Sequence, residues 1–451
     1  MPETTATPPA HDEALRRRTV TWVVVLSTLA LVFDGYDLVV YGTVVPTLLA
    51  DPGQLGALTP ARAGALGSYA LVGVLVGALT AGALGDWIGR RRVLLVNIAW
   101  FSVGMGATAL THSVQTFGLF RFLTGVGVGA LVATVGALVA EFAPPGRRNR
   151  LNAIVYSGVP AGGVLAALVA LAVPDSAGWR PLFWIGAAPI VLLLPLAVAK
   201  LPESPKWLLA RGRVAEAEVQ AARTGVTLPT GPAPVPAGAA RVGFGALVRR
   251  PLAWPTLLLG TMSFGGLLLT YGLNTWLPQI MQDNGYGAGY SMTFLLALNL
   301  GAIVGGLLAS GVADRVGAKR VVATTFVLAA ATLVLLPSGL PFPLLLAAVA
   351  VAGVGTIGTQ VLIYGLVSNY YPTRARAAGV AWCAGFGRLG GIVGPIVGGV
   401  LVGAGVGGTT AFYLFAGVSL AGAAVTSLVP RAQDEEVVAA PATVTASTVS
   451  V

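Results

Sequence analysis

"GDWIGRRR" (residues 85–92) and "ADRVGAKR" (313–320) are two copies of one pattern. At an offset of 228 residues, Asp86 falls on Asp314 and Gly89 on Gly317. The same offset lays "EFAPPGRR" (141–148) over "NYYPTRAR" (369–376), so that Pro144 meets Pro372 and Arg148 meets Arg376. It then brings Gly162-Gly163 onto Gly390-Gly391. One offset that satisfies three separated patches points to a duplicated chain.

Both copies sit in apolar surroundings. Of the 451 residues 55% are hydrophobic and 10% charged, where a soluble domain carries roughly 25% charged residues. Runs of 18 or more apolar residues can each cross a bilayer as a helix, and we read twelve, at about 20–49, 63–84, 93–110, 115–140, 151–173, 182–200, 253–280, 291–312, 320–337, 342–369, 377–402 and 410–429. The expected fold is therefore an all-α membrane protein, with twelve transmembrane helices in two pseudo-symmetric six-helix bundles. The 61 glycines suit close helix packing in lipid. The bundles are expected over 20–201 and 253–429. Between them lies a linker, 202–252, that opens with an amphipathic helix in "PESPKWLLARGRVAEAE" and continues as the Pro/Ala/Gly stretch "TLPTGPAPVPAGAA". Residues 1–19 and 430–451 read as tails, the second disordered.

The net charge of +10 raises the question of a nucleic-acid partner, but its placement argues against one. Twenty-three of the 27 Lys and Arg lie in the tails or in the connections after even-numbered spans. That is the positive-inside pattern, and it puts both termini in the cytoplasm. A single cysteine, Cys383, excludes an internal disulfide. With two histidines and no Walker loop, HExxH or GxSxG pattern, neither an enzyme nor a metal or other cofactor is expected.

Four definite charges remain inside the spans: Asp34, Asp37, Arg121 and Arg388. Each costs about 2.5–3.5 kcal/mol at the centre of an inserted helix, so such groups normally pair and face the bundle interior. Asp34 and Asp37 in "DGYD" share a helical face. Two carboxylates that close do not ionise together easily in a low dielectric, which suits a group that takes up and releases a proton. Arg121, in the same half, is the natural partner, giving a proton-coupling set of Asp34, Asp37 and Arg121. Arg388 lies near the midplane of the other half. A guanidinium there can make two parallel hydrogen bonds to a carboxylate, which argues for an anionic substrate. Duplicated halves place that site between them. Its expected walls are Tyr41 and Tyr156 from the first half, and Phe264, Tyr271, Asn274, Trp276, Asn299, Gln360, Tyr364, Trp382 and Phe386 from the second.

These patterns resemble the major facilitator superfamily over nearly the whole chain. "GALGDWIGRRR" (82–92) is similar to its loop 2–3 signature, which forms a cytoplasmic latch; Trp87 replaces a usual basic residue, leaving the latch to Asp86, Arg90 and Arg91. The resemblance implies a cytoplasmic gate of Gly82, Asp86, Gly89, Arg90, Arg91, Glu141, Arg148, Asp314 and Arg376. "DGYD" and "YPTRARAAGVAWCAGFGRLGG" are similar to the aromatic acid:proton symporter family, typified by 4-hydroxybenzoate and benzoate transporters. Both carboxylates are needed for transport there, whereas sugar porters keep one. The resemblance implies a monomer in a bacterial inner membrane that imports a small aromatic carboxylate with protons by alternating access. The alternatives are a symporter for another organic acid or a sugar, and a drug exporter, because "GGIVGPIVGG" (390–399) fits an antiporter signature. That signature belongs in span 5, however, and here it falls in span 11. A non-transporting sensor would need an output domain that neither linker nor tail offers.

Overall fold

The computed structural model describes residues 10–144, 147–226, 228, 244–405 and 407–430. Among them twelve helical segments are long and apolar enough to cross a membrane. An even number of crossings returns the chain to the face where it started.

The first half comprises α1 (Ala10–Ala50), α2 (Pro60–Ile88), α3 (Arg90–Ala109), α4 (Val114–Phe142), a fifth crossing split into α5 (Arg148–Tyr156) and α6 (Gly158–Ala172), and a sixth split into α7 (Arg180–Ala187) and α8 (Pro189–Lys200). Pro189 fits the first turn of α8, where its missing N–H is not needed. Ser113 starts α4, its Oγ accepting the Thr116 N–H at 3.2 Å. The linker holds two short helices, α9 (Pro205–Ala210) and α10 (Val214–Thr224). Gly212, at φ 71°, turns the chain between them, so the expected amphipathic helix is broken in two. Most of the Pro/Ala/Gly stretch lies outside the described residues, as do residues 1–9 and 431–451.

The second half repeats the pattern with α11 (Ala253–Asp283), α12 (Ala288–Val316), α13 (Ala318–Leu335), a tenth crossing made of α14 (Phe342–Gly353), a π-helical turn (Val354–Gly358) and α15 (Thr359–Tyr370), then α16 (Thr373–Gly403) and α17 (Gly407–Leu428). The repeat extends to backbone angles. Gly89 turns between α2 and α3 at φ 101°, and its counterpart Gly317 between α12 and α13 at φ 95°. L side chains rarely adopt that region, which accounts for glycine in both copies. The largest difference from the apolar runs is at α1, which begins at Ala10 because the polar lead-in is itself helical, with Arg17 paired to Glu13 one turn back.

Within each half the helices pack as closely as missing side chains allow. A Cβ on Gly162 in α6 would strike the Val32 carbonyl of α1, and one on the repeat-related Gly390 in α16 would strike that of Phe264 in α11. Among the described residues the halves join chiefly through α1 with α11, α2 with α16, and α6 with α12. Ser68 Oγ donates to the Ile392 carbonyl at 2.6 Å, Gly64 lies against Pro395, and Gly399 lies against Pro60. These approaches lie in the half of the molecule away from the termini.

Candidate functional site

Asp37 and Arg121 form a buried ion pair. Arg121 Nη1 donates to Asp37 Oδ1, and Nη2 donates to the Asp37 backbone carbonyl at 3.2 Å. Neither side chain is more than 1% exposed. The guanidinium carbon is 5.6 Å from the centre of the Tyr41 ring and 5.9 Å from that of Phe183. The charge is thus held among aromatic faces.

Asp34, one turn earlier on α1, is 1% exposed, and neither carboxylate oxygen has a hydrogen-bond partner. Its counter-charge is Arg388, across the seam. The sequence reading groups both aspartates with Arg121; the structure gives Asp37 that partner and leaves Asp34 without a hydrogen bond, within electrostatic reach of Arg388 in the other half.

Arg388 is the middle residue of α16, a helix of 31 residues, and is half-buried. Tyr156 from α5, Tyr271 from α11 and Tyr364 from α15 all lie within electrostatic reach of it, while the Tyr156 hydroxyl donates to the Val132 carbonyl at 3.2 Å. Further along α16 toward the termini, Trp382 stacks on Phe386, with centroids 5.2 Å apart and planes 17° apart. Phe264 closes on Phe386 at 5.8 Å. Gln360 Nε2 donates to Ser263 Oγ at 3.0 Å. Ser263 is a polar contributor that the sequence reading missed, although a hydroxyl one residue before Phe264 was a usable signal.

Other expected wall residues go elsewhere. Trp276 is fully buried, its Nε1 donating to the Pro395 carbonyl at 2.8 Å, and it packs against Gly398 and Gly399. Tyr41 donates to the Ala63 carbonyl at 2.7 Å beneath Arg121. Asn299 Nδ2 donates to Asn274 Oδ1 at 2.9 Å, and the Asn299 amide lies against Gly163 of the first half. Those two amides therefore sit at the closed part of the seam.

At the face carrying the termini, Arg90 Nε donates to Glu141 Oε1 at 3.1 Å, tying the start of α3 to the end of α4. Arg91 turns to the end of α8, donating to the carbonyls of Leu201 at 2.7 Å and Val198 at 2.6 Å. Its backbone N–H donates to Glu203. These bonds all lie within the first half or its junction with the linker. Arg148, Asp314 and Arg376 are exposed. The side chains of residues 81–86, with Gly82 and Asp86, lie outside the described residues.

A family model described as the Major Facilitator Superfamily matches residues 27–312 and 294–449. The chain belongs to the major facilitator superfamily. Relatives at 30–34% identity over most of the chain carry the names of aromatic acid transporters. The gentisate transporter of Corynebacterium glutamicum is 34% identical over 413 residues, spanning 91% of this chain and 87% of that one. The benzoate transport protein of Acinetobacter baylyi is 33% identical over 391 residues, spanning 84% and 83%. The 4-hydroxybenzoate transporter PcaK of the same organism is 31% identical over 397 residues, spanning 85% of each chain. Among solved structures, the xylose transporter XylE from E. coli superposes with a TM-score of 0.73 at 20% identity, over 91% of this chain and 98% of that one. At that identity the likeness is one of fold. A major facilitator protein is a transporter and not an enzyme.

Proposed function

We propose that the protein imports a small aromatic carboxylate of the benzoate and hydroxybenzoate class together with protons, by alternating access of one site between its two halves. The observation that carries this reading is the half-buried Arg388 guanidinium at the centre of α16, with three tyrosines and the unpartnered Asp34 within its electrostatic reach. A bidentate cation suits a carboxylate, and aromatic walls suit a ring. Relatives carrying the names of gentisate, benzoate and 4-hydroxybenzoate support it. Uptake of labelled benzoate, 4-hydroxybenzoate, gentisate, shikimate and glucose into a transport-deficient strain, with and without an uncoupler, tests it. The aromatic acids should accumulate and the uncoupler should abolish accumulation. Glucose uptake that none of the acids inhibits would refute it.

The protein acts as a monomer in a bacterial inner membrane, with both termini and the 202–252 linker in the cytoplasm. The basic residues concentrated on that face support this orientation. In a Cys383→Ser background, a cysteine placed in the linker should resist an impermeant thiol reagent added to intact cells. Rapid labelling from outside would reverse the orientation.

In this orientation the halves meet on the external side and the site opens inward. A side chain at Gly64 would collide with the Pro395 carbonyl across that seam. Overpacking costs about 1–3 kcal/mol, and about 1.4 kcal/mol is one decade in an equilibrium. Gly64→Val should therefore shift the protein toward the outward-open form by about fivefold or more. The readout is external labelling of Thr43→Cys, a buried position lining the closed external cleft. Labelling no faster than in the Gly64 parent would count against rocking about this seam.

A further inference from the structure

On the face that carries the termini, a basic cavity of about 470 Å³ lies between the start of α1, the end of α8 and the linker helix α10. Arg18, Arg91, Lys200 and Arg223 surround it, with Glu203 as the acid among them. Glu203 is already engaged, its Oε1 accepting the backbone N–H groups of Arg91 at 3.1 Å and Ser204 at 3.0 Å. Arg18, Lys200 and Arg223 are exposed and have no carboxylate partner among the described residues. Lys200 Nζ instead stands 5.8 Å from the centre of the Trp22 ring, which lines the same cavity.

The position of the cavity selects its ligand. Trp22 lies at the start of the apolar part of α1 and Lys200 ends α8, so the cations stand at headgroup depth, where tryptophan also concentrates. Below them Val198, Leu196, Leu192 and Val191 are exposed along α8, an apolar strip facing outward from the bundle. A cationic cup above an apolar strip fits one molecule that carries a phosphate and acyl chains. We propose that this cavity binds the headgroup of an anionic phospholipid, whose chains lie along α8. Arg91 and Arg223 also line a second cavity of about 460 Å³ against α9 and α10, so the bound lipid would hold the linker helices to the first half. This inference stands independently of the transported substrate.

The test uses the full-length protein in mixed micelles containing brominated phosphatidylglycerol or brominated phosphatidylcholine with matched chains. Quenching of Trp22 is read as the difference between the parent and Trp22→Phe. Each basic residue near an anionic headgroup contributes a preference of about fivefold. Half-quenching by phosphatidylglycerol is therefore expected at a mole fraction about tenfold or more below that for phosphatidylcholine. The triple variant Arg18→Gln/Lys200→Gln/Arg223→Gln changes exposed side chains only and should lose most of this preference, whereas Lys200→Arg should keep it. Equal quenching by the two lipids, or an undiminished preference in the triple variant, would overturn the proposal. So would displacement of phosphatidylglycerol by millimolar inorganic phosphate but not by chloride of equal ionic strength, which would assign the cavity to a free anion.

Discussion

An Asp34→Asn protein is expected to exchange substrate across the membrane while its accumulation ratio falls to about one. Of the two aspartates, Asp37 is already committed: Arg121 binds both its side chain and its backbone carbonyl. Protonating Asp37 would break that pair, and breaking a buried pair typically costs about 3–5 kcal/mol. Asp34 has no hydrogen bond to lose. It is also the carboxylate that feels Arg388 across the seam. A substrate carboxylate on Arg388 would take over the counter-charge that otherwise serves Asp34, so binding of the acid and protonation of Asp34 would go together. Asparagine resembles the protonated form, which allows the loaded protein to cycle but removes the proton from the cycle. Asp37→Asn should behave differently, because it strands a guanidinium that is 1% exposed. A stability loss of about 3–5 kcal/mol is expected there, read as a lower melting temperature and lower membrane yield. Uncoupler-sensitive accumulation by Asp34→Asn at the parental level would move the proton site elsewhere.

The fold was legible because its two strongest signals are physical necessities. Apolar runs long enough to cross a bilayer have few other uses, and a repeat at one fixed offset is hard to produce by chance. The Asp37–Arg121 pair was legible for a related reason: intramembrane charges are few, so the choice of partners is short. The nearness of Asp34 to the charge of Arg388 was not legible. It depends on how two separately folded halves face each other, and no helical period reports on that. The sequence names Trp276 and Tyr41 as walls but does not say what their polar atoms meet, which is the Pro395 carbonyl within the second half for Trp276 and the Ala63 carbonyl within the first half for Tyr41. The loop arginines were harder still. Arg90 and Arg91 are adjacent, yet one reaches Glu141 on α4 and the other the end of α8 and Glu203. The π-helical turn Val354–Gly358 adds a further obstacle. A π-bulge carries one residue more than a regular turn, which rotates everything after it by about 100° relative to a helical wheel drawn from the sequence. Gln360 and Tyr364 lie just beyond that turn, so a regular helical wheel misplaces their faces.

Substituting Arg388 separates the carboxylate reading from its rivals most sharply. If Arg388 holds the substrate by two parallel N–H donors, Arg388→Lys should fail nearly as badly as Arg388→Ala. The lysine keeps the charge but loses the planar fork, and its compact ammonium is more strongly hydrated. Removing one partner of a buried charge pair typically costs about 3–5 kcal/mol. Arg388 is half-buried, so about half of that is the appropriate expectation, and it still amounts to roughly tenfold or more in affinity. Direct binding to the purified variants should display this loss, with folding checked by an unchanged melting temperature. The same geometry predicts that the methyl ester of the best aromatic acid competes poorly with the acid in the parental protein, because the ester lacks the anionic oxygen pair. If acid and ester compete equally, and Arg388→Lys binds like the parent, the guanidinium serves to hold α16 against Asp34 rather than to bind an anion. Import of a neutral solute such as a sugar would then become the better reading of the same residues.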